Sequence, residues 1–590
     1  MKQQRAASVA CETEGHGARK LWVRAAPAVG VIGLLAIAVA FAHGEVWRAG
    51  AADVVPVDHQ PVLPDAIVEG DVVYEAWLVG RNATTLVSAP FALFDAEPCA
   101  PMRRSLTVGI PMIALGAFGI PAALVTSDPI LIYNTALTLQ SAVAALAMYL
   151  LVWRWTRRSA AGLVAALLFA FHPIRLGHMT HPSVWDISFT ALSLYFAERL
   201  FREGRWRDAL ALTAAISLQI ATDYYPLVAA ALLALPFAAW LLLRRAPRRA
   251  SPAQIALPLA VAALAAVLVL GPYLDALAEG TLRSYSGGFI FAPWSSYAPG
   301  GSLFFGWVLL GLALLGALAP AAVALPGAGG DPRAALGLGA LALLFVAAGP
   351  DTAAQLSRIG FETAFDPHAA LARVLPGLSS VRVVERLSVG VLLVACLLAG
   401  AGAAWLLERA GRRAAPAACA LVALTFLASF GAPPWSGRWI LPRIRPAEDS
   451  IAFFEELARR GNRGPLFEVP FDVFGERSGF TAPGRVLLTG WHRRRTSACY
   501  GSAMPRVREE LKELADRLPD PGALRRLREL GFTTILVHHL PDLSGLRLLR
   551  PFYLATLGDD PALRLVHRIG TMSAYEIRAE AAPEGATRSP

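Results

Sequence analysis

Charged side chains are scarce in this 590-residue chain: only 17% of its residues are charged, whereas 55% are hydrophobic. A soluble globular domain typically carries about 25% charged residues. The charges cluster between apolar runs of about 17–25 residues, a length that crosses a bilayer as a helix. Because the bilayer core has no water to satisfy backbone groups, each run is predicted to be helical. The composition excludes a soluble globular protein and predicts a polytopic α-helical membrane protein.

Acidic residues are fewer than basic ones, which gives a net charge of +10 and a pI of about 9.7. Such a balance can indicate a nucleic-acid partner. Here, however, the arginines stand at the ends of apolar runs, as the positive-inside rule describes. The charge therefore indicates membrane topology, with the lipid bilayer as partner and no nucleic acid.

Cysteine is also rare, and the five cysteines (Cys11, Cys99, Cys396, Cys419 and Cys499) show no close metal-ligand spacing. Cys99 and Cys499 both fall in polar regions that we place outside the membrane. A disulfide between these two is one alternative, and two free thiols are the other.

The apolar runs predict eleven spanning helices, at 26–42, 129–151, 159–172, 184–201, 207–222, 224–243, 252–275, 302–325, 334–349, 386–407 and 415–431. A twelfth run, 107–127, is interrupted by Pro111 and Pro121. We predict a re-entrant or interfacial helix there, because the arginine clusters that follow the later spans then share a side with the basic N-terminus. The first run could be a signal peptide, but the spans downstream favour an uncleaved anchor.

This topology divides the chain into a cytoplasmic tail (1–25), a transmembrane domain (26–431) with a large first outer loop (43–128), and a C-terminal region (432–590) outside the membrane. The C-terminal region is predicted to be a small soluble α/β domain. We expect helices at 450–460 and 506–518, and strands at 465–469, 533–537, 563–569 and 573–577.

The predicted outer loops hold nearly all the unusual polar residues: Glu69, Asp71, Arg103, Arg104, His178, His181, Asp223, Tyr224, Tyr225, Arg283, Tyr285, Arg382 and Arg386. Arginine on an outer loop runs against the positive-inside rule, and its forked donors suit phosphate. Each residue also has a plainer interpretation. Asp71 could be a solvated loop residue, and the paired tyrosines an interfacial aromatic belt. Arg382 and Arg386 could contact lipid headgroups without any catalysis.

Several short motifs follow one another along the chain. The first are Gly70-Asp71 with Trp77; Asp128-Pro129 with Tyr133-Asn134; His172-Pro173 with Arg175, His178 and His181; Asp223-Tyr224-Tyr225; and Leu375-Pro376-Gly377 with Arg382 and Arg386. Near the C-terminus follow Leu466 with Val469-Pro470; His492; and Gly531-Phe532 with Val537-His538. In this order the motifs resemble the bacterial multi-spanning proteins of the GT-C glycosyltransferase superfamily. Each motif is short, and their order is the specific feature.

The resemblance implies transfer of a sugar from a polyprenyl-phosphate donor at the outer side of the membrane, with an acidic residue of the first outer loop as base. Asp71 matches that residue best, with Glu69 as its neighbour. The adjacent Asp-Glu pair of the protein-mannosylating branch is absent, because Gly70 separates the two acids.

The expected reaction is an inverting single displacement onto a glycan, lipid or protein acceptor in the bacterial cell envelope, at the inner membrane. Arg103, Arg104, Arg283, Arg382 and Arg386 are the candidates for binding the donor phosphate. His178, His181, Tyr224, Tyr225 and Tyr285 are the candidates for binding sugar or acceptor. A divalent metal held by Asp71 with His178 or His181 is conceivable, but neither a metal nor a cofactor is predicted.

Two other classes remain open. A transporter or flippase of lipid-linked sugars would use the outer arginines to bind phosphate without breaking a bond. Its path would need charges inside the membrane, and the predicted spans hold almost none. A non-catalytic envelope assembly protein would use the C-terminal domain for binding alone.

Overall fold

The computed structural model describes residues 29–58, 65–244, 249–283, 288–361, 365–375, 378, 381–430, 439–461, 463–471, 481–539, 557–558 and 560–578. These residues form a mostly helical protein with a small sheet near the C-terminus. The predicted fold class, a polytopic α-helical membrane protein with a C-terminal α/β region, is confirmed.

Seventeen helices precede the C-terminal region in the described residues: α1 Val29–Gly50, α2 Asp65–Ser88, α3 Ile113–Ala123, α4 Pro129–Thr156, α5 Ser159–Ala170, α6 Pro173–Leu176, α7 Ser188–Glu203, α8 Trp206–Ile220, α9 Tyr224–Leu243, α10 Pro252–Ala278, α11 Trp307–Leu318, α12 Ala321–Ala324, α13 Arg333–Ala348, α14 Asp351–Arg358, α15 Pro367–Ala372, α16 Val389–Ala410 and α17 Ala414–Phe430. Two strand pairs and an isolated β-bridge connect segments that are distant in sequence. Strand β1 (Val57–Asp58) pairs with β3 (Trp439–Ile440), and β2 (Leu282–Arg283) pairs with β5 (Met504–Pro505). Val54 also bridges Arg443.

Six of the described helical segments are long and apolar enough to cross a membrane, or seven if the pair α13 and α14, bent by 102°, counts as one span. One of the six, Val384–Phe430, has 47 residues. At 1.5 Å per residue it would extend about 70 Å, more than twice the hydrocarbon thickness of about 30 Å. It breaks at Gly411, whose φ is 51°, and both of its halves, α16 and α17, pack against α5. This segment therefore supplies two of the eleven predicted spans.

Other predicted spans, at 184–201, 207–222 and 302–325, correspond to the shorter helices α7, α8 and α11. The run 107–127 contains α3, whose 11 residues extend about 17 Å. That is about half of a hydrocarbon core, which agrees with a re-entrant or interfacial helix. Taken together, these helices make the chain a multi-pass membrane protein.

Helix α2 is the main difference from the sequence prediction, which left the first outer loop without a helix. It has 24 residues, and its middle is packed inside the protein, with Trp77 and Leu78 almost wholly buried. Charged residues such as Glu75 and Arg81 interrupt its apolar run, so its hydropathy is that of a polar segment. Close packing holds it in place: a Cβ on Gly80 would lie 2.5 Å from Pro129 at the start of α4.

One end of the helical domain carries a dense set of arginine ion pairs. Glu198, fully buried near the end of α7, accepts from Arg154 at 3.1 Å and from Arg202 at 3.2 Å. Arg158 at the start of α5 pairs with Glu408 at the end of α16. These contacts confirm that the arginine clusters after the spans 129–151, 184–201 and 386–407 lie at the same end of the molecule.

The C-terminal region contains helices α18 Glu448–Arg459, α19 Thr481–His492, α20 Val507–Asp516 and α21 Pro521–Glu529 around a four-stranded sheet of β4 Leu466–Val469, β6 Thr534–His538, β7 Leu563–Ile569 and β8 Met572–Ile577. The strand order is β4-β6-β8-β7; β4 and β6 are parallel, and the other two pairs are antiparallel. The predicted strands and helices of this region are thus confirmed. The helices cover the sheet and bury Phe467, Phe532 and Phe453.

A charged cluster lies inside this sheet region. Glu468 on β4 is 2% exposed and accepts a hydrogen bond from His538 on β6 at 2.6 Å and another from Thr496. The guanidinium of Arg485 on α19 lies 3.7 Å away. Burial would raise the pKa of Glu468, but the hydrogen bonds from His538 and Thr496 and the charge of Arg485 lower it to about 2. Glu468 is therefore a buried, ionised anchor of the domain.

We expect Glu468→Gln to destabilise the protein by roughly 3 kcal/mol, since it leaves the buried guanidinium of Arg485 without its counter-charge. The matched control, Glu510→Gln, removes an exposed partner of Arg526 and should change stability by less than about 0.5 kcal/mol. Because the pKa of Glu468 is lowered in the folded state, its contribution is present near neutral pH and is lost as the pH falls from the usual glutamate range towards 2. Thermal unfolding of the purified protein in detergent checks this. Equal midpoints for both variants would contradict it.

Candidate functional site

The candidate site forms around the first turns of α2. Asp71 and Glu75 stand four residues apart on this helix and so share one face. His181, in the loop after α6, lies between them: its Nδ1 is 2.9 Å from Glu75 Oε1 and its Nε2 is 3.6 Å from Asp71 Oδ2. Tyr500, from the C-terminal region, donates its hydroxyl hydrogen to Asp71 Oδ1.

The two carboxylates differ in accessibility. The Glu75 side chain is 3% exposed, whereas that of Asp71 is 29% exposed. Of the two carboxylates, Asp71 is therefore the more accessible to solvent.

The loop that carries the histidines is fixed from several sides. Gln140 on α4 donates to the carbonyl of Pro182 at 3.1 Å and to the Asp186 carboxylate at 3.1 Å. The ring of His178 packs on Trp185 with centroids 4.8 Å apart, and its Nδ1 lies 2.7 Å from the Ile174 carbonyl. Burial lowers the pKa of His178 to about 4, so this ring is neutral near pH 7.

The predicted arginines Arg382 and Arg386 approach from the segment that enters α16. Ile290 donates its N–H to the Arg382 carbonyl at 2.7 Å, and Val383 donates to the Tyr225 hydroxyl at 3.3 Å. The guanidinium of Arg386 lies over the ring of Tyr225, 5.2 Å from its centroid. Main-chain bonds therefore present both arginines beside the N-terminus of α9.

Asp223 completes this side of the site. It caps α9 by accepting from the Tyr225 N–H at 3.2 Å, and it accepts from the Ser183 hydroxyl at 2.8 Å. Burial raises the pKa of Asp223, while the hydrogen bonds and the charge of Arg386 act against that rise. Arg386 therefore lies within electrostatic range of both Asp223 and Asp71.

The same balance acts on Asp71. Burial raises the pKa of its carboxyl above the usual value, and the hydrogen bond from Tyr500 and the charges of Arg386 and Arg382 oppose the rise. Burial and the neighbouring Asp71 raise the pKa of Tyr500, which keeps its hydroxyl protonated as a donor. Asp71 is thus a carboxylate whose proton affinity lies above that of an exposed aspartate.

The structure does not bring every candidate to this point. Arg104 pairs with Asp275 at 2.5 Å, and Arg103 lines a separate cleft of about 380 Å³ together with Asp95, Glu97, Arg493 and Arg495. Tyr224 is half-buried at the start of α9.

The side chains of three further candidates lie outside the described residues. Glu69 stands two residues before Asp71 on α2, and its side chain lies outside the described residues. Arg283 forms part of β2, with its side chain outside the description. Tyr285 lies outside the described residues, as do Pro376 and Gly377.

Sequence reasoning missed Glu75 and Tyr500. Glu75 had a signal in its four-residue spacing from Asp71, which becomes meaningful only once residues 65–88 are recognised as a helix. Tyr500 lies 429 residues from its partner, and local pattern gives no indication of so distant a contact. Its neighbour in sequence did carry a hint: Cys499 forms a disulfide with Cys99, the first of the two alternatives that the sequence left open.

Within the described residues, no group of three or more His, Cys, Asp or Glu side chains is arranged to hold a metal ion. The ring nitrogens of His181 both face carboxylates of α2.

Comparison with known proteins agrees with this architecture. Residues 133–273 match the family model described as dolichyl-phosphate-mannose-protein mannosyltransferase, which is less than half of the chain. Among solved structures, the arabinofuranosyltransferase AftD from Mycobacteria aligns with a TM-score of 0.50 and 18% identity, over 92% of this chain and 40% of that one. The chain therefore spans less than half the length of that structure.

Two other solved structures align less closely. ArnT from Cupriavidus metallidurans, bound to undecaprenyl phosphate, gives a TM-score of 0.45 at 12% identity, over 94% of this chain and 99% of that one. The Archaeoglobus fulgidus oligosaccharyltransferase gives 0.39 at 12% identity, over 86% and 68%. No curated protein sequence matches the chain. Over 92% of its length the chain has the fold of the arabinofuranosyltransferase AftD, which confirms the polytopic membrane fold that the resemblance implied.

We expect His181→Ala to lower the thermal unfolding midpoint in detergent. The substitution takes one hydrogen-bond donor from the buried Glu75, a loss worth about 1–3 kcal/mol. His181→Asn keeps a donor of similar reach and should recover part of the difference. A midpoint for His181→Ala equal to that of the unaltered protein would show that the ring does not hold the two acids together.

Proposed function

We propose that this chain is a membrane glycosyltransferase that moves a sugar from a polyprenyl-phosphate donor to an acceptor hydroxyl, with Asp71 as the general base. The observation that carries the proposal is the convergence of an accessible carboxylate, Asp71, with two arginines, Arg382 and Arg386, in a chain of GT-C fold. The matched family is named for a lipid-phosphate sugar donor, which supports the donor class.

The arginines supply what a departing phosphate needs. Positive charge beside the leaving group stabilises the negative charge that develops on it, and a guanidinium offers several donors in a planar fork. Arg386 lies on the aromatic face of Tyr225, which orients its planar group. In this proposal the donor phosphate binds at Arg382 and Arg386 while its lipid tail lies among the helices.

Asp71 then acts on the acceptor. It removes the proton of the attacking hydroxyl while the acceptor oxygen bonds to the anomeric carbon and the bond from that carbon to the phosphate oxygen breaks. The electron pair leaves with the polyprenyl phosphate. One displacement inverts the anomeric configuration. A single carboxylate suffices because the phosphate leaves without protonation, unlike the two-carboxylate arrangement of most glycoside hydrolases.

We place this site on the outer face of the membrane and the N-terminus in the cytoplasm. Two features support that orientation. The buried arginine ion pairs around Glu198 gather at the end of the domain that the positive-inside rule assigns to the cytoplasm. The Cys99–Cys499 disulfide adjoins Asp71 through Tyr500, and disulfides persist mainly in oxidising compartments.

Asp71→Asn keeps the size of the side chain but removes the base, so we expect transfer to fall by about 10²- to 10⁴-fold. Membranes containing the variant or the unaltered protein are supplied with a panel of radiolabelled polyprenyl-phosphate sugars, and label moved from lipid to acceptor is counted. Glu510→Gln, an exposed acid on α20, is the matched control and should transfer normally. Full activity in a normally inserted Asp71→Asn protein would reject Asp71 as base. Donor binding without transfer to any acceptor would favour a transporter.

Arg386→Gln should raise the KM for the lipid donor by roughly tenfold or more, since hydrogen bonds to charged groups are worth about 1.5–3 kcal/mol. Arg526→Gln on α21, which removes an exposed arginine paired with Glu510 and Glu529, is the control with an expected normal KM. Donor titrations in the same transfer assay give the KM of each variant. An unchanged KM for Arg386→Gln would place the phosphate elsewhere.

A further inference from the structure

Tyr500 connects the C-terminal region directly to the candidate base. Its hydroxyl donates to Asp71 Oδ1, and its ring packs on Tyr74, one turn along α2, with centroids 5.4 Å apart. The contact orients one carboxylate oxygen and leaves the other facing His181. A side chain 429 residues away in sequence therefore contacts both Asp71 and its neighbour on α2.

The segment that carries Tyr500 is joined to the first loop by main-chain hydrogen bonds. The Thr496 N–H donates to the Glu97 carbonyl at 2.9 Å. The N–H groups of Cys99 and Ala100 donate to the carbonyls of Ala498 and Thr496, each at 2.8 Å. The Cys99–Cys499 disulfide closes this connection one residue before Tyr500. Cys99 has a φ of 61°, a left-handed conformation that is unfavourable for a non-glycine residue. The surrounding bonds must hold it there.

The other side of the same segment is fixed to the C-terminal sheet. Thr496 donates its hydroxyl hydrogen to Glu468, Ser497 donates its N–H to the Leu466 carbonyl at 2.9 Å, and Leu466 donates to the Arg495 carbonyl at 2.9 Å. The segment therefore lies between strand β4 and the first loop. Tyr500 follows at its end and reaches Asp71.

We propose that Tyr500 is a positioning residue for the Asp71 base, and that the Cys99–Cys499 disulfide is required to hold it there. The inference rests on the proposed glycosyltransfer. It adds that the C-terminal region completes the catalytic centre and that the centre works only in the oxidised protein.

The charged and titratable groups around Asp71 define what losing Tyr500 would do. Glu75 faces it from its own helix, His181 from the loop after α6, and Arg382 and Arg386 from the segment before α16. Tyr500 donates a hydrogen bond to the carboxylate and stabilises its charged form. That bond opposes the rise in the pKa of Asp71 that burial causes, so the pKa rises further when the bond is removed.

Tyr500→Phe removes the hydroxyl and keeps the ring on Tyr74. We expect kcat to fall by roughly tenfold, the scale of a hydrogen bond to a charged group, with the donor KM within about twofold. The acid limb of the pH–kcat profile should move to higher pH, since Asp71 must be deprotonated to act as base. Tyr575→Phe, in strand β8, is the matched control and should leave the rate and profile unchanged. An unshifted acid limb in a folded Tyr500→Phe protein would overturn the proposal.

The disulfide is tested in the same assay. Cys99→Ser and Cys499→Ser should each reproduce the Tyr500→Phe profile, and combining Cys499→Ser with Tyr500→Phe should cause little further loss. Cys419→Ser, which replaces an exposed free cysteine, is the control. If the serine variants fail to fold, reduction and reoxidation of the assembled wild-type protein should lower and restore kcat. A rate unaffected by verified reduction would overturn the role of the disulfide.

A second readout does not depend on transfer. A hydrophobic carbodiimide modifies protonated carboxyl groups, and mass spectrometry gives the extent of Asp71 labelling at each pH. The labelling midpoint should move upwards in Tyr500→Phe and in the reduced protein, and stay in place in Tyr575→Phe. If the wild-type protein transfers no sugar but the midpoint still moves upwards in Tyr500→Phe and in the reduced protein, the proposed function is rejected and the positioning role is kept. Unshifted midpoints would reject the positioning role.

Discussion

A carboxylate that is only partly in contact with water needs compensating donors and charges, since an ion removed from solvent without partners is strongly disfavoured. Asp71 imposes that requirement on this fold. Its partners come from distant parts of the chain: His181 from the loop after α6, Arg382 and Arg386 from the entry to α16, and Tyr500 from the C-terminal region. Each is carried on a segment that main-chain hydrogen bonds or a helix cap already hold. The fold brings these segments together around Asp71.

The two ends of the helical domain use arginine differently. At one end, Glu198 lies between Arg154 and Arg202, so positive charge is neutralised locally by acids on the same or neighbouring helices. At the other end, Arg386 lies on an aromatic ring and within electrostatic range of Asp71 and Asp223. The first arrangement suits a fixed structural junction. The second places a cation beside an accessible acid, which is the arrangement that the proposed donor phosphate would use.

Much of the fold could be predicted because long apolar runs and short alternating strands leave strong local patterns. The predicted spans agree closely with helices such as α9 and α10, and the strands around Leu466 and Thr534 form where expected. Helix α2 could not be found in this way, because its charged residues are buried by tertiary contacts that hydropathy does not register. Arg382 and Arg386 were identifiable because arginine on a predicted outer loop breaks a charge rule. The same rule singled out Arg104, which the structure pairs with Asp275 instead. A charge pattern therefore locates candidates, while the packing decides which of them meet.

The distance along the chain between Asp71 and Tyr500 has a consequence for biosynthesis. Cys99 and Cys499 are 400 residues apart, and the segments between them include most of the membrane-spanning helices. A growing chain cannot make the disulfide or the contact beyond it until those helices have been synthesised and the C-terminal region has followed them. Asp71 can therefore contact Tyr500 only after nearly the whole chain has been translated. A truncated or incompletely inserted chain would carry Asp71 without Tyr500.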